Sequence, residues 1–364
     1  MLPNSQTLDG EQQAMCTDAL TCTGPTVEEQ RLSIDRIHIN VDLAEDKVDR
    51  IRSFVDETLP QMKNDSSAAG HPHRWYPRRY THGFIAYLSD WLKWEPVGAT
   101  RFYCATGPKC AGYKNTHMNW NPAKSDSAFV AGIILDEYLQ IPTNSLIDST
   151  VSRIDLALDV PEARIEDQSF SWPKMTEVEN RYSKGRTMYL GARAGATRII
   201  IYDKRAEIQK SNSQLGHFYK PLHEPVPAHD LMRIEIRLKK LSMSISELLT
   251  LSNPFTQLAV QVRPKNFSRL ESSRFDLALH EGFSRATSIF NSAEKKAYTR
   301  KLKKAGGPIW WKPEQVWEQQ FPQLIDAFLS PFQGPHWGTI VPDDHFDSPL
   351  ALHLLVSTEG LAVP

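Results

Sequence analysis

The chain predicts an α+β fold: an antiparallel sheet followed by a mainly helical C-terminal region. Three observations carry this. Strand-like alternation dominates residues 31–240, with helical spacing between the strands. Three of those strands set an apolar face against an ionic one, the pattern of a sheet packed on one side only. Beyond Ser244 the apolar period becomes helical as far as about Leu329.

Taken in order, residues 1–30 are rich in Gln, Thr and Ser and read as a flexible arm. Residues 34–41 alternate apolar and polar and read as a strand. Val48, Ile51, Val55 and Leu59 share helical spacing. A loop at 64–70 leads into an aromatic, basic and His-rich stretch at 71–82. Strands are expected at 83–87, 99–103, 151–160 and 232–238, a helix at 125–139, and a hairpin at 187–204. Ser244 with Glu247 forms a capping-box signature ahead of Leu248, Leu249 and Leu251. The expected division is an arm at 1–30, a sheet domain at 31–240, a helical region at 241–333 and a Pro- and His-rich tail at 334–364.

Composition narrows the class. With 364 residues, 40% hydrophobic and 23% charged, the chain reads as globular, in one large or two ordinary domains. No apolar run of about 18 residues predicts a membrane span. Residues 1–26 lack the basic start and apolar core of a secretory signal. Four cysteines (Cys16, Cys22, Cys104 and Cys110) are too few for a disulfide scaffold and fit a reducing cytosol. Net charge is -1, so any polyanion must be met by local basic islands. These lie at Arg74, Arg78 and Arg79, at Arg233 to Lys240, and at Lys295 to Lys304.

The ionic strand faces carry the chemistry. Arg153, Asp155, Ala157 and Asp159 alternate with apolar residues, as do Arg233, Glu235, Arg237 and Lys239. Arg198, Ile200, Tyr202 and Lys204 would share one face of a third strand. A solvated sheet face is the bland account. Carboxylates interleaved with arginines on neighbouring strands instead suit a divalent cation and a phosphate. A phenol with a pKa of about 10 is a weak nucleophile near neutrality. Adjacent cations would favour phenolate, and attack on a phosphodiester would leave a phosphotyrosine.

At these residues the sequence resembles the Rep_trans family of replication initiators, which takes in rolling-circle plasmid Rep proteins, filamentous-phage initiators and related relaxases. The matching elements are Asn119-Trp120-Asn121-Pro122-Ala123-Lys124, Ser152 to Asp159, Tyr189-Leu190-Gly191-Ala192-Arg193, Ile201-Tyr202-Asp203-Lys204 with Glu207, and Arg233 to Lys239. They cover roughly residues 115–240. The resemblance implies a Rep- or relaxase-like catalytic core and a metal-dependent nicking-joining endonuclease. It would cut one strand at an origin, keep the 5′ phosphate on a tyrosine and leave a 3′-OH primer. It implies Tyr202 as nucleophile, with Tyr189 second, and Lys204 and Arg198 beside it. It further implies Mg²⁺ or Mn²⁺ held by Asp155 and Glu235, with His117 standing in for an acidic residue absent at Asn119. DNA contacts are expected from Arg153, Arg193, Arg233, Arg237, Arg78, Arg79, Lys301 and Lys303. The implied partner is single-stranded or hairpin origin DNA in the cytoplasm of a bacterial host. A homodimer is left open.

Other constellations are weaker. His71 and His73 as a metal pair are interrupted by Pro72. Cys104, Cys110 and His117 are spaced too widely for a zinc site. Lys295 to Lys304 reads either as a solvated helix face or as a duplex-phosphate contact. No phosphate-cradling Gly-rich loop is present, so unwinding would fall to a host helicase. The rival readings are a non-catalytic DNA-binding copy-control protein, a relaxase of a conjugative element, and a tyrosine recombinase. The last is disfavoured because its tyrosine sits in a helical domain.

Overall fold

A computed structural model describes residues 25–60, 73–74, 78–87, 101–123, 132, 134–173, 178–181, 186–215 and 225–333. Most of the arm at 1–30, the 64–70 loop, much of the helix at 125–139 and the 334–364 tail lie outside the described residues, as do Cys16, Cys22 and His71.

The expected α+β class is what forms. In chain order the strands are β1 (Arg31–Val41), β2 (His73–Arg74), β3 (Tyr80–Tyr87), β4 (Arg101–Pro108), β5 (Thr116–Trp120), β6 (Thr150–Pro161), β7 (Ser169–Ser171), β8 (Val178–Arg181), β9 (Thr187–Leu190), β10 (Thr197–Asp203), β11 (Leu231–Ser244) and β12 (Ala259–Gln261). Ten of them build one antiparallel sheet in the order β2-β3-β4-β5-β1-β6-β11-β10-β9-β8, and β7 pairs with β12. The helices are α1 (Glu45–Ser53), α2 (Lys204–Leu215), α3 (Arg269–Glu281), α4 (Phe283–Ala286), α5 (Ser292–Ala305) and α6 (Pro313–Gln333).

Alternation, interrupted on β1 between Ile34 and Ile37, explains the sheet's two faces. On β1, Ile34, Ile37 and Ile39 are wholly buried. On β6, Ile154, Leu156, Leu158 and Val160 are buried on the same side, as are Ile234 and Ile236 of β11 and Ile199 and Ile201 of β10. Each such side chain contributes about 1.5–3 kcal/mol by leaving water. Helix α6 covers this face. Its Phe328 stacks on Trp120 with 6.3 Å between ring centroids, a separation at which aromatic pairs attract. Gln320 ties α6 to β1 by accepting from Leu32 N at 2.8 Å and donating to Gln30 O at 2.7 Å.

The β9–β10 hairpin is where expected, and Gly191 follows β9 at φ 91°, a conformation that suits a residue without a Cβ. Its end differs from the sequence reading. The strand stops at Asp203, whose Oδ1 accepts from Ala206 N at 2.9 Å, and Lys204 opens α2. The Ser244–Glu247 capping bonds form in both directions, at 2.7 and 3.2 Å, but they cap a single short turn at Ser246–Thr250. Trp310 joins the main core, and Trp311 Nε1 donates to Leu258 O at 3.2 Å.

Candidate active site

The polar face of the sheet is best read as rows across adjacent strands. In one row Asp159 of β6 faces Arg233 of β11, which faces Tyr202 of β10. In the next, Ala157 faces Glu235, which faces Ile200 and then Tyr189. In the third, Arg36 of β1 faces Asp155, then Arg237, then Arg198. The fourth brings His38, Arg153 and Lys239 together. A small residue, Ala157, thus lies between three carboxylates, Asp155 and Asp159 along its own strand and Glu235 beside it.

Charge pairing organises these rows. Arg233 forks onto Asp159, Nε to Oδ1 at 2.5 Å and Nη2 to Oδ2 at 2.6 Å. Its remaining Nη1 donates to Asp35 at 3.3 Å. Arg153 forks onto Asp155 in the same way. Arg237 donates to Asp155 and to Glu235, each at 3.1 Å. Such two-point guanidinium–carboxylate bonds fix orientation as well as charge. Burial, with Asp35 and Asp155 nearby, pushes the Glu235 carboxyl up to about 7 despite Arg237.

Tyr202 is partly buried at the edge of this cluster. Burial pushes its phenol well above the ordinary range. Arg233 pulls the other way, but Glu235, Asp35 and Glu207 add to the rise. This corrects the expectation that adjacent cations hold a phenolate.

The companions assigned to Tyr202 from the sequence also change. Lys204 does not continue the strand; its Nζ donates to Glu207 at 2.5 Å from the first position of α2. Arg198 lies four residues from Tyr202, packed 4.3 Å over the Tyr189 ring and bonded to Glu179 at 3.3 Å. The guanidinium beside Tyr202 belongs to Arg233. Tyr189 is therefore held under a cation.

His117 does not join Asp155 and Glu235. It faces Asn40 on β1, and Asn40 in turn faces Thr150. Asp155 is thus two strand steps away, about 10 Å, and five residues along, about 16 Å. His117 pairs instead with His38 at 5.3 Å between ring centroids, bonds Asn40 Oδ1 through Nδ1 at 2.7 Å, and stacks on Tyr80 at 6.0 Å. Cys104 belongs to the core face, opposite His117, which removes the zinc reading.

Of the residues expected to contact DNA, Arg153, Arg233 and Arg237 lie in the cluster. Arg193 is exposed in the β9–β10 turn, where its carbonyl accepts from Lys239 Nζ at 2.9 Å. Arg78 and Arg79 are exposed at the far end of the sheet, Arg79 lying 5.2 Å over the Tyr113 ring. Lys301 bonds Glu271 at 2.7 Å, whereas Lys303 is exposed.

Asp35 is the site residue that sequence reasoning missed. The β1–β6 register shifts between Ile34 and Arg36, so an extra residue bulges there and its carboxylate reaches Arg233. Two adjacent polar residues breaking an otherwise regular alternation were the available signal.

Among the described residues no three His, Cys, Asp or Glu side chains are grouped as a metal site. Both oxygens of Asp155 already accept from arginines. The expected set of Asp155, Glu235 and His117 therefore does not form. The chemistry that does suit a hard divalent cation is narrower: Glu235 and Asp35, whose mutual repulsion such a cation relieves, with phosphate oxygens and water completing the shell.

Residues 140–257 match the Phage_CRI family model, which describes the N-terminal part of a replication-associated protein. That span holds Asp155, Asp159, Tyr202, Arg233, Glu235 and Arg237. No curated protein matches the chain. Among solved structures, a rolling circle replication initiator protein from Geobacillus stearothermophilus aligns at 12% identity and a TM-score of 0.35, covering 66% of this chain and 90% of that one. Across residues 140–257, the resemblance to Rep-type replication initiators is borne out by the family model.

Proposed function

We propose that the protein initiates replication by cutting one strand of origin DNA, with the Tyr202 phenol as nucleophile. The Oη–P bond forms and the P–O3′ bond breaks. The phenol proton passes to water, and the departing 3′ oxygen takes one up to become a hydroxyl that can prime synthesis. The 5′ phosphate stays on the tyrosine for later rejoining. The observation that supports this is the Tyr202–Arg233 pair beside Glu235 and Asp35. A partly buried tyrosine at the edge of a carboxylate–guanidinium cluster has a phosphate-binding group next to its reacting oxygen.

Arg233 and Arg237 would orient the scissile phosphate through their remaining guanidinium edges. Glu235 and Asp35 would hold Mg²⁺ or Mn²⁺; when bound, the cation supplies Lewis-acid stabilisation of the phosphate charge. Burial keeps the phenol protonated at rest, so it gains nucleophilicity only once the substrate is in place. Strand separation would fall to a host helicase.

The test is incubation with Mg²⁺ or Mn²⁺ and single-stranded oligonucleotides from the replicon's own origin, followed by a denaturing gel. A protein–DNA adduct that disappears with Tyr202→Phe is the expected result. An adduct that survives Tyr202→Phe and is lost with Tyr189→Phe overturns the assignment. No adduct with any origin-derived strand favours a non-catalytic DNA-binding protein.

A further inference from the structure

Helices α3, α4 and α5 form a small unit with its own core, Phe275, Leu279, Tyr298 and Leu302, flanked by Phe267, Phe283 and Phe290. Tyr298 is the centre of it. Phe267, Phe283 and Phe290 all lie within ring-contact range of Tyr298, at 5.0, 5.9 and 5.4 Å between centroids. The buried stripe of α5 is Tyr298 and Leu302, one turn apart. At 100° per residue, Lys296, Arg300, Lys303 and Lys304 fall on the opposite side. All four are exposed. Ala293 and Ala297, also exposed, share that outer side and leave it low in profile.

The unit is strongly basic within a chain that is nearly neutral. Residues 263–305 hold eleven Lys and Arg but four acids. Those four are all occupied elsewhere. Glu271 caps α3 and binds Lys301, Asp276 pairs with Arg263, Glu281 with Arg285, and Glu294 closes the capping box with Asn291. Among the described residues, no acid pairs with the outer stripe of α5.

A solvated helix face of this kind ordinarily mixes signs, because like charges one turn apart repel. Here four cations at i, i+4, i+7 and i+8 share one side of a rigid helix capped at both ends. Their spacing spreads the charge along more than two helical turns, about 12 Å. A polyanion with regularly spaced charge on a firm surface matches that, and duplex DNA carries about one charge per 1.7 Å of axis. The stripe also lies on a different element from the Tyr202 cluster, which handles a single strand.

We infer that α5 is a duplex-DNA-binding helix, contacting backbone phosphates through Lys296, Arg300, Lys303 and Lys304. The inference rests on the replication reading above and adds a second surface to it. The single-stranded segment to be cut lies on the sheet, and flanking duplex lies on α5. Lys301, despite its place in the same basic run, is a structural residue that ties α5 to α3.

The test uses the full chain with Lys296, Arg300, Lys303 and Lys304 all changed to Ala. The four side chains are exposed, so thermal unfolding should match the parent. The probes are a mixed-sequence duplex oligonucleotide, its isolated single strand, and polyglutamate. Expected is a loss of more than about tenfold in duplex affinity at low salt, with the slope of log K against log salt shallower by about 3–4. Single-strand affinity and the covalent adduct should be kept. Lys301→Ala should lower stability while leaving the slope within about one of the parent.

Unchanged duplex affinity and slope would overturn the inference, as would an equal loss on duplex and single strand. Loss of polyglutamate binding with duplex binding intact would mark a protein-docking face and overturn it too. If neither protein forms an adduct but the variant still loses duplex affinity, the nicking reading fails and the duplex surface stands. If the adduct forms and duplex binding is untouched, only this inference fails.

Discussion

Tyr202 lies directly across the strand pair from Arg233, whose guanidinium is already forked onto Asp159 and bonded to Asp35. The phenol's neighbour is therefore a fixed cation. Removing it should cost stability as well as activity. Arg233→Met leaves Asp159 and Asp35 partly buried without their guanidinium, and unfolding in denaturant should show a loss of about 3 kcal/mol. Arg233→Lys should lose less, because charge is retained and only the fork is lost.

The two tyrosines of the hairpin should separate cleanly. Tyr202→Phe removes only a hydroxyl and should abolish the origin-DNA adduct with little change in unfolding midpoint. Tyr189→Leu removes the ring beneath Arg198. It should lower stability by about 1 kcal/mol while the adduct persists. Adduct yield on denaturing gels and thermal unfolding, measured on the same samples, decide this.

Glu235→Gln tests the crowded carboxylates. The folded-state pKa of Glu235 is raised, so its charge opposes folding above the ordinary carboxylate range. Neutralising it should leave the unfolding temperature at pH 8 equal or higher. If its charge serves the phosphate chemistry, adduct formation should fall by about 100-fold. Unchanged adduct yield would remove Glu235 from the chemistry. Titrating Mn²⁺ into parent and variant should also show weaker metal dependence in the variant.

His38 and His117 give a pH signature at the border of the cluster, where His38 faces Arg153. Burial, chiefly, holds His38 down at about 2 and His117 at about 4; nearby cations add to both, Arg79 for His117 and Arg153, Arg36 and Arg237 for His38, which also feels His117. Both fold uncharged, and His38 Nε2 is buried without a hydrogen-bond partner among the described residues. Unfolded histidine takes up a proton near pH 6.5. The unfolded chain thus binds more protons below that pH, and stability present above it is lost as pH falls from about 6.5 towards 4. Thermal unfolding across that range should show the loss, and His38→Gln with His117→Gln should flatten it.

The sheet is legible in the sequence because its signal is local. Alternation on β6, β10 and β11 assigns each residue to a face, and that is enough to predict an apolar layer and an ionic one. Tyr202, Asp155, Glu235, Arg233 and Arg237 all come from this pattern. The same locality explains the errors. Alternation carries Lys204 along the strand because it cannot show where a strand yields to a helix. It groups Arg198 with Tyr202 because they share a face, although four strand residues already set them about 13 Å apart.

The sequence by itself determined the fold class and the two-faced strands. Only the tertiary structure decided which charges meet. Register in four ladders between five strands set Arg233 beside Tyr202, carried His117 away to His38, and let a bulge bring Asp35 into the cluster. Those outcomes follow from hydrogen-bond ladders between segments far apart in the chain, and a shift of one residue in any ladder would change every partner. The periodic code fixes faces; the pairing of strands fixes neighbours.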